Sequence, residues 1–311
     1  MRIIDSATTR KHLGMPALIE ALRCMFIAGC EVPTRHTHDL ATPEGAGGTL
    51  LLMPAWQVGK RMGVKLVTIF PGNTRKRLHS IYTLFDATTG APLAQLDGDE
   101  ITARRTAAAS ALAASFLARD DAAHLLVVGA GRVASLMCEA MRAVRPITRV
   151  SVWNHRHDKA EALAATLRAG GVTAHAVQDL ARAARGADII STATLATAPL
   201  IHGAWLKPGT HLDLIGSFTP AMRESDAACF AGARVYVDTH EAIAKSGDML
   251  EAIAAGTFAP ERLEATLAKL CETPQRGRTH AHDITIFKSV GTALEDLAAA
   301  ELVYDAVCAA G

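Results

Sequence analysis

The chain has 311 residues, half of them hydrophobic and only 5% aromatic, so its core must be built from Ala, Leu, Val and Ile. This length suits two ordinary domains, which can bury most of their apolar surface without disulfides or metals. Lys and Arg total 32 against 31 Asp and Glu, and the net charge of +1 provides no broad field for nucleic acid or an anionic membrane.

The cysteines and the N-terminus indicate the compartment. None of the six cysteines forms a CxxC pair or lies at zinc-finger spacing to histidine, so we expect free thiols, a reducing environment and no metal site. Residues 1–9 contain no apolar signal segment. The longest alanine-rich stretch, 107–118, is interrupted by serines and followed by charged residues, so no membrane span is expected. These features predict a cytoplasmic protein.

The first hundred residues predict a mixed α+β domain with an open antiparallel sheet. The turn Ala-Thr-Thr-Gly at 87–90 joins two strands in a hairpin. Other segments read as one amphipathic helix and two further strands. The predicted elements are a helix at Ala17–Cys30 and strands at Thr49–Pro54, Gly63–Ile69, Ser80–Asp86 and Pro92–Leu96.

The middle of the chain follows another pattern. After a long alanine-rich helix, Glu100–Ala118, for which Asp99 and Thr102 are plausible caps, the apolar run His124–Val128 stops at Gly129. Continuous apolar runs are typical of parallel strands covered on both faces. Helix and strand then alternate, which predicts a doubly wound, Rossmann-type α/β domain. The predicted elements are helices at 133–144, 159–169, 178–185 and 289–310 and strands at 149–153, 173–176, 187–191, 211–215 and 234–237.

The strand that ends at Val128 leads into the strongest local motif, a G-x-G-x-x-A loop. Gly129 permits a tight turn, Gly131 lets the backbone approach a pyrophosphate, and Ala134 lets the next helix pack closely. The start of that helix offers free N–H groups to an anion. A purely structural turn is the alternative, but the flanking elements favour dinucleotide binding. The predicted cofactor contacts are Gly129, Ala130, Gly131, Arg132 and Val133.

The end of the next strand predicts which dinucleotide binds. NAD-selective sites usually place an acidic residue there, whereas this chain has Asn154, His155 and Arg156. These side chains suit a 2′-phosphate, so NADPH is the expected cofactor, with NADH possible. A solvated basic turn is the alternative interpretation.

Three cations of the first domain are candidates for substrate binding. Arg35, Lys65 and Arg105 occur in apolar or ordered segments, where a charge is costly unless it is paired. Singly, each is more often a snorkelling or salt-bridged side chain. Together they could grip a carboxylate.

Several motifs occur in the same order as in the ornithine cyclodeaminase/μ-crystallin family, which the sequence resembles along nearly its whole length. The resemblance implies that Arg35, Lys65 and Arg105 bind the substrate carboxylate or act beside the reacting carbon, and that Ser289 lies near the nicotinamide. It also implies a homodimer formed through the first domain, onto which the final helix folds back. The motifs are Gly63–Val67, Pro71-Gly72-Asn73, Leu96-Asp97-Gly98, Thr102–Ala108, the glycine-rich loop, Ile215–Glu224, Ala242–Asp248 and Thr285–Gly291.

One departure from the family pattern narrows the expected reaction. Ornithine cyclodeaminases carry an Asp where this chain has Phe218, which can neither accept a proton nor pair with an ammonium group. We therefore expect reduction of a small cyclic imino acid, such as Δ1-pyrroline-2-carboxylate to proline. Lys65 is the first candidate for the proton donor, with Thr49 and His79 as lesser ones. Alternatives are an amino acid dehydrogenase resembling alanine dehydrogenase, an ornithine cyclodeaminase, or a protein that binds NADPH without turnover.

The combined prediction is a two-domain α/β protein. Residues 1–118 with 289–311 form a mixed α+β domain for substrate binding and dimerisation, and residues 119–288 form the dinucleotide-binding domain. The expected partners are a small imino or amino acid and a second copy of the chain, without nucleic acid or membrane.

Overall fold

The computed structural model describes residues 1–41, 45, 47–70, 72–73 and 78–310. Pro71 of the Pro71-Gly72-Asn73 motif lies outside them. The chain divides into two compact units, Met1–Arg105 with Thr292–Gly311 and Thr106–Gly291. This division falls inside the alanine-rich helix, between Arg105 and Thr106, whereas the boundary predicted from the sequence lies at residue 118.

The first unit is built on a six-stranded sheet with the order β1-β6-β5-β4-β3-β2. Neighbours from β2 to β6 are antiparallel, as the meander pattern predicts, while β1 pairs parallel to β6. The elements β1, β2 and α1 were not predicted from the sequence. The bounds are β1 Arg2–Ile4, α1 Ser6–His12, α2 Met15–Ala28, β2 His36–Leu40, β3 Gly48–Trp56, β4 Arg61–Ile69, β5 Leu78–Asp86, β6 Pro92–Asp97, α3 Gly98–Leu117 and α10 Ala293–Ala309.

Alternation along the strands gives this sheet two different faces. Met53, Lys65 and Tyr82 lie opposite one another on β3, β4 and β5 and are buried. Helix α10 contacts these three strands and also packs on α2. The next row of the sheet belongs to the other face; in it Leu66 is half-buried and Ile81 is exposed.

The second unit is built on an eight-stranded parallel sheet with the order β13-β12-β14-β11-β10-β7-β8-β9. This confirms the doubly wound α/β prediction. Strands β7, β8, β9 and β12 have the predicted bounds. The bounds are β7 His124–Val128, α4 Met137–Arg142, β8 Arg149–Trp153, α5 His157–Ala169, β9 Thr173–Ala176, α6 Leu180–Gly186, β10 Ile189–Thr192, β11 His211–Leu214, β12 Arg234–Val237, α7 Glu241–Lys245, α8 Gly247–Ala254, β13 Leu263–Thr266, α9 Leu267–Glu272 and β14 Thr285–Lys288.

For three of the helices whose predicted starts differ from the observed ones, local interactions give the reason. The Asp97 carboxylate accepts a 2.8 Å hydrogen bond from the Glu100 amide, so α3 begins before the proposed caps Asp99 and Thr102. The helix after the glycine-rich loop begins with a 3-10 turn at Ala134–Leu136, and α4 is only six residues long. The final helix begins at Ala293, capped by Thr292, because the preceding amides of Val290 and Gly291 bind Asp238 instead.

Across the described ranges, none of the helices has both the length and the apolar character needed to span a membrane. All six cysteines are free thiols, and three of them are buried, as expected for small apolar side chains.

Candidate active site

The glycine-rich loop follows β7 with a geometry that needs glycine at its first position. Gly129 has φ of 122°, a region that L side chains rarely adopt, and a Cβ there would lie 2.6 Å from the Ala193 carbonyl oxygen. Its amide donates a 2.8 Å hydrogen bond to the Trp153 carbonyl, which ties the loop to the end of β8. The first glycine is therefore fixed by the fold itself.

Gly131 differs from Gly129 because no steric contact with the described residues requires a glycine there. A Cβ at Gly131 would meet no atom within 4 Å, and both Gly131 and Arg132 are exposed. A backbone left open in this way suits the close approach of a pyrophosphate. The loop geometry is therefore compatible with a dinucleotide, for which Gly129 to Val133 would be the phosphate-binding segment.

The predicted basic turn lies directly beside this loop. Val128 is the register partner of Trp153, so Asn154 follows β8 at the level where Gly129 follows β7. Asn154 is half-buried, while His155 and Arg156 are exposed. Arg156 is also the residue before α5, and its carbonyl accepts the first hydrogen bonds of that helix. The ribose end of a dinucleotide would thus meet an amide, an imidazole and a guanidinium.

A buried carboxylate that the sequence reasoning missed organises the neighbouring strand ends. Glu224 accepts hydrogen bonds from the Thr194 amide at 2.7 Å, the Gly216 amide at 2.6 Å and the Thr192 hydroxyl at 2.8 Å. It joins the chain that leaves β10 to the chain that leaves β11. Burial raises the pKa of Glu224, an effect that Lys288 and these hydrogen bonds partly oppose. Its position at the end of the Ile215–Glu224 motif was the available signal.

Phe218 lies two residues after Gly216, whose amide is bound by Glu224. It is 44% exposed, which is unusual for a large apolar side chain, and its amide bonds to the Gly216 carbonyl at 3.1 Å. Neighbouring Ser217 is instead buried, with its hydroxyl donating to the Met222 carbonyl at 2.6 Å. The exposed side chain next to the carboxyl end of β11 is therefore a hydrocarbon ring with no proton to exchange.

Ser289 lies just after β14 rather than in a helix. It is nearly buried, and its amide donates to the Leu214 carbonyl at 3.2 Å. The preceding Lys288 is fully buried; its Nζ lies 3.1 Å from the same carbonyl and 3.7 Å from an Asp248 carboxylate oxygen. Strand β14 is the neighbour of β11, so Ser289 and Ile215 stand at the same edge of the sheet.

In the first unit, the structure brings Lys65 and Arg105 together around two carboxylates of α10. The Lys65 Nζ lies 2.7 Å from Asp296, and the Arg105 Nε lies 3.0 Å from the same carboxylate. Arg105 also donates to Glu295 at 2.6 Å. All four side chains are buried. The sequence reasoning missed Glu295 and Asp296, because acidic residues in the first turn of a helix are ordinary dipole partners.

Burial and the neighbouring charges have opposing effects on the pKa of Lys65, and likewise on the pKa of Asp296. Burial lowers the pKa of Lys65 to about 8, although Asp296 opposes this shift. Burial also works to raise the pKa of Asp296, but Lys65 and Arg105 outweigh it and hold that pKa below its usual value. The cluster therefore contains two cations and at least one firmly ionised carboxylate.

Arg35, the third predicted cation, lies just before the strand beyond β3 from Lys65. It is half-buried and directly precedes β2, whose first residue, His36, is opposite Leu52. Arg35 is thus level with Met53, two strand spacings or about 10 Å from the β4 strand that carries Lys65. Of the lesser candidates, His79 is exposed on β5 and Thr49 is half-buried on β3.

Comparison with known proteins shows that the chain matches one protein family. The model of the ornithine cyclodeaminase/mu-crystallin family covers residues 8–311. The chain is 39% identical over 292 residues to a Δ1-pyrroline-2-carboxylate reductase of Paracoccus denitrificans, covering 92% of this chain and 90% of that one.

Solved structures agree with the family match. The Δ1-pyrroline-2-carboxylate reductase of Thermococcus litoralis, in complex with NADH and L-proline, superposes with a TM-score of 0.92 at 30% identity, over 100% of this chain and 98% of that one. An archaeal alanine dehydrogenase dimer with bound NAD gives 0.90 at 28% identity, over 99% and 97%. The chain belongs to the ornithine cyclodeaminase/mu-crystallin family.

Proposed function

We propose that this protein is an NAD(P)H-dependent reductase of a small cyclic imino acid, such as Δ1-pyrroline-2-carboxylate, whose product is L-proline. The observation that carries the proposal is Phe218, an exposed hydrocarbon ring where cyclodeaminases have a carboxylate. Reduction of a C=N bond needs no base at this position. The similarity to reductases of this substrate over nearly the whole chain supports the same reaction.

The proposed cofactor contacts and the proposed substrate contacts are made by different sets of residues. NAD(P)H held at Gly129–Val133 would supply the hydride. Lys65 and Arg105 bind the substrate carboxylate, with Arg35 as a third cation. An ammonium has three N–H donors and a guanidinium five, so the bonds to Glu295 and Asp296 leave capacity for a substrate. Fixing the carboxylate orients the imine carbon, and such positioning can contribute several kcal/mol to the rate.

We further propose NADPH as the preferred cofactor. Asn154, His155 and Arg156 surround the position where a 2′-phosphate would lie, and Asp158 is displaced into the first turn of α5. The dinucleotides named in the similar structures are NADH and NAD, so the preference rests on these residues alone.

The partner we propose is a second copy of the chain, bound through the six-stranded sheet. One face of that sheet is covered by α10, but the other carries apolar side chains that remain accessible, including Ile3 at 70% and Ile81 at 41%. Contiguous exposed apolar surface marks an interface more often than a free surface. Light scattering should give twice the chain mass. Ile81→Arg should halve the measured mass, while Leu195→Arg in the second unit should leave it unchanged.

The free cysteines support a cytoplasmic location.

Steady-state kinetics with three substrates test the reaction. NADPH oxidation should be rapid with Δ1-pyrroline-2-carboxylate and much slower with pyruvate plus ammonia. Ornithine should yield neither ammonia nor proline above background, because Phe218 cannot act as a base. Faster turnover of the oxo acid would make the protein an amino acid dehydrogenase. Tight NADPH binding without turnover of any of the three would make it a binding protein.

Variants of Lys65 and Arg105 test the carboxylate contacts. We expect Arg105→Ala and Lys65→Ala to lose imine reduction while they still bind NADPH. Removing one charge-assisted hydrogen bond costs about 1.5–3 kcal/mol, or roughly ten- to a hundred-fold in kcat/KM. If the residues only stabilise the fold, the variants will melt early and lose NADPH binding too. Stable variants with normal turnover would remove both residues from the site.

A further inference from the structure

Four charged side chains form a buried cluster in the first unit: Lys65, Arg105, Glu295 and Asp296. Their side chains are 2%, 7%, 1% and 0% exposed. Asp296 is the member that touches both cations, because its Oδ1 accepts from Lys65 Nζ at 2.9 Å and from Arg105 Nε at 3.0 Å. Glu295 bonds to Arg105. The two carboxylates thus have different roles toward the lysine.

A buried ammonium keeps its proton only if a negative charge compensates for the lost hydration. The groups that face Lys65 are Asp296 and Glu295 from α10, Arg105 from α3 and Tyr82 from β5. Burial and Arg105 lower the pKa of Lys65, to about 8, whereas Asp296 and Glu295 act to raise it. Burial holds the pKa of Tyr82 well above its usual value, so this neighbour stays neutral. Asp296 is therefore the main group that favours the protonated lysine.

We propose that Asp296 is a positioning residue for the reductase reaction, holding the Lys65 ammonium beside Arg105 so that Lys65 donates its proton to the imine nitrogen of the bound substrate. This inference rests on the proposed function. The proton moves from Lys65 Nζ to the nitrogen, and the hydride of NAD(P)H reaches the carbon, so the C=N bond becomes CH–NH and NAD(P)⁺ is left. Lys65, now neutral, regains a proton from water.

The charge balance of the cluster suits this role. With the two cations and two carboxylates ionised, its net charge is zero, so an arriving substrate carboxylate adds one uncompensated negative charge. That charge favours the protonated form of Lys65 at the moment when the substrate is bound. Once the proton has gone to the imine, the substrate carries both signs and the lysine is left neutral beside Asp296.

The test is the pH dependence of kcat/KM for Δ1-pyrroline-2-carboxylate reduction, compared between the wild type and Asp296→Asn. The variant should lose activity on the alkaline side at a pH lower by about 1–3 units, because a carboxylate in direct contact shifts a pKa by that amount. Its dissociation constant for NADPH should not change. Asp305→Asn is the matched control: Asp305 pairs with Arg61 near the other end of the same helix and is largely exposed. Its profile should match the wild type.

Each outcome of this pH comparison either supports or overturns the proposed role of Asp296. An alkaline limb that stays in place in a folded Asp296→Asn variant would overturn the role of Asp296, even if the rate fell equally at every pH. If Asp296→Asn does not fold, Asp296→Glu carries the test: it should keep the limb but lower kcat, and an unchanged kcat would overturn the proposal. A wild type without imine reductase activity would instead overturn the proposed function.

Discussion

Gly216 and Glu224 are held in direct contact at the carboxyl end of β11. The Gly216 amide donates to the Glu224 carboxylate at 2.6 Å, and a Cβ on Gly216 would lie only 2.4 Å from that carboxylate and 2.1 Å from the Thr194 carbonyl oxygen. The second of these obstacles is backbone, which cannot swing away as a side chain end can. The absence of a side chain at Gly216 is therefore a requirement of the fold.

We expect Gly216→Ala to destabilise the protein and to disturb the strand ends that Glu224 joins. Overpacking of this kind typically costs about 1–3 kcal/mol. Urea denaturation should show the loss as a lower midpoint, and NADPH titration should show weaker binding. A variant with the wild-type midpoint would mean that the two chain segments can separate without cost.

Gly131→Ala should behave in the opposite way. Because a Cβ at this position meets nothing within 4 Å, the cofactor-free variant should melt with the wild type. It should still bind NADPH more weakly, since the methyl group would occupy the surface that a pyrophosphate approaches. Calorimetric titration measures the affinity. Unchanged affinity would show that the cofactor does not pass over Gly131.

Arg156 is expected to distinguish the two nicotinamide cofactors. Arg156→Ala should raise the KM for NADPH by about tenfold or more, the effect of losing one charge-assisted hydrogen bond to a phosphate, and leave the KM for NADH unchanged. Arg185→Ala, which removes an exposed cation from α6, is the control. A wild-type kcat/KM clearly higher with NADH would contradict the predicted preference.

The stability of the protein should depend on pH through Asp213. Burial raises the pKa of this carboxyl from 3.8 to about 7, although hydrogen bonds from Ser191 and Ser110 act against the shift. Between these values the folded state binds the proton and the unfolded state does not. The free energy of unfolding should therefore fall as pH rises from 4 to 7, by about 1.4 kcal/mol per pH unit from this group.

Denaturation of Asp213→Asn across this pH range checks the contribution. The variant should lack that part of the slope, while Ser110→Ala, which removes a donor to the carboxylate, should extend the slope to higher pH. Parallel curves for the wild type and Asp213→Asn would show that Asp213 does not titrate in the folded protein at these pH values.

The sequence predicted the second unit better than the first for a physical reason. Strands covered on both faces, such as β7, are continuous apolar runs with clear ends, whereas every residue of β2 is exposed and leaves no alternation to detect. Strand β14 was recognised as a family motif but not as a strand, because it is only four residues long and ends in a lysine. That lysine, Lys288, is fully buried, and its partners, the Leu214 carbonyl and the Asp248 carboxylate, are far away in the sequence.

The candidate site shows the same limit. Lys65 could be identified as unusual because it is a charge within an apolar strand, and Arg105 because it lies in an ordered helix. Their partner Asp296 lies 231 positions after Lys65, and no local pattern connects the two. The glycine-rich loop, in contrast, is formed by consecutive residues, and its motif and strand–turn geometry could be predicted directly from the sequence.

The first unit is assembled from two distant parts of the chain, and this has a consequence for synthesis. Residues 106–291 emerge from the ribosome as one uninterrupted segment and can fold as a unit, because domains generally do so during translation. The six-stranded sheet is synthesised before this segment, but α10, which packs on it, is synthesised after the segment. Until α10 is made, Lys65 and Arg105 have neither of its carboxylates. The sheet face that α10 covers is therefore exposed in the nascent chain until α10 has been synthesised.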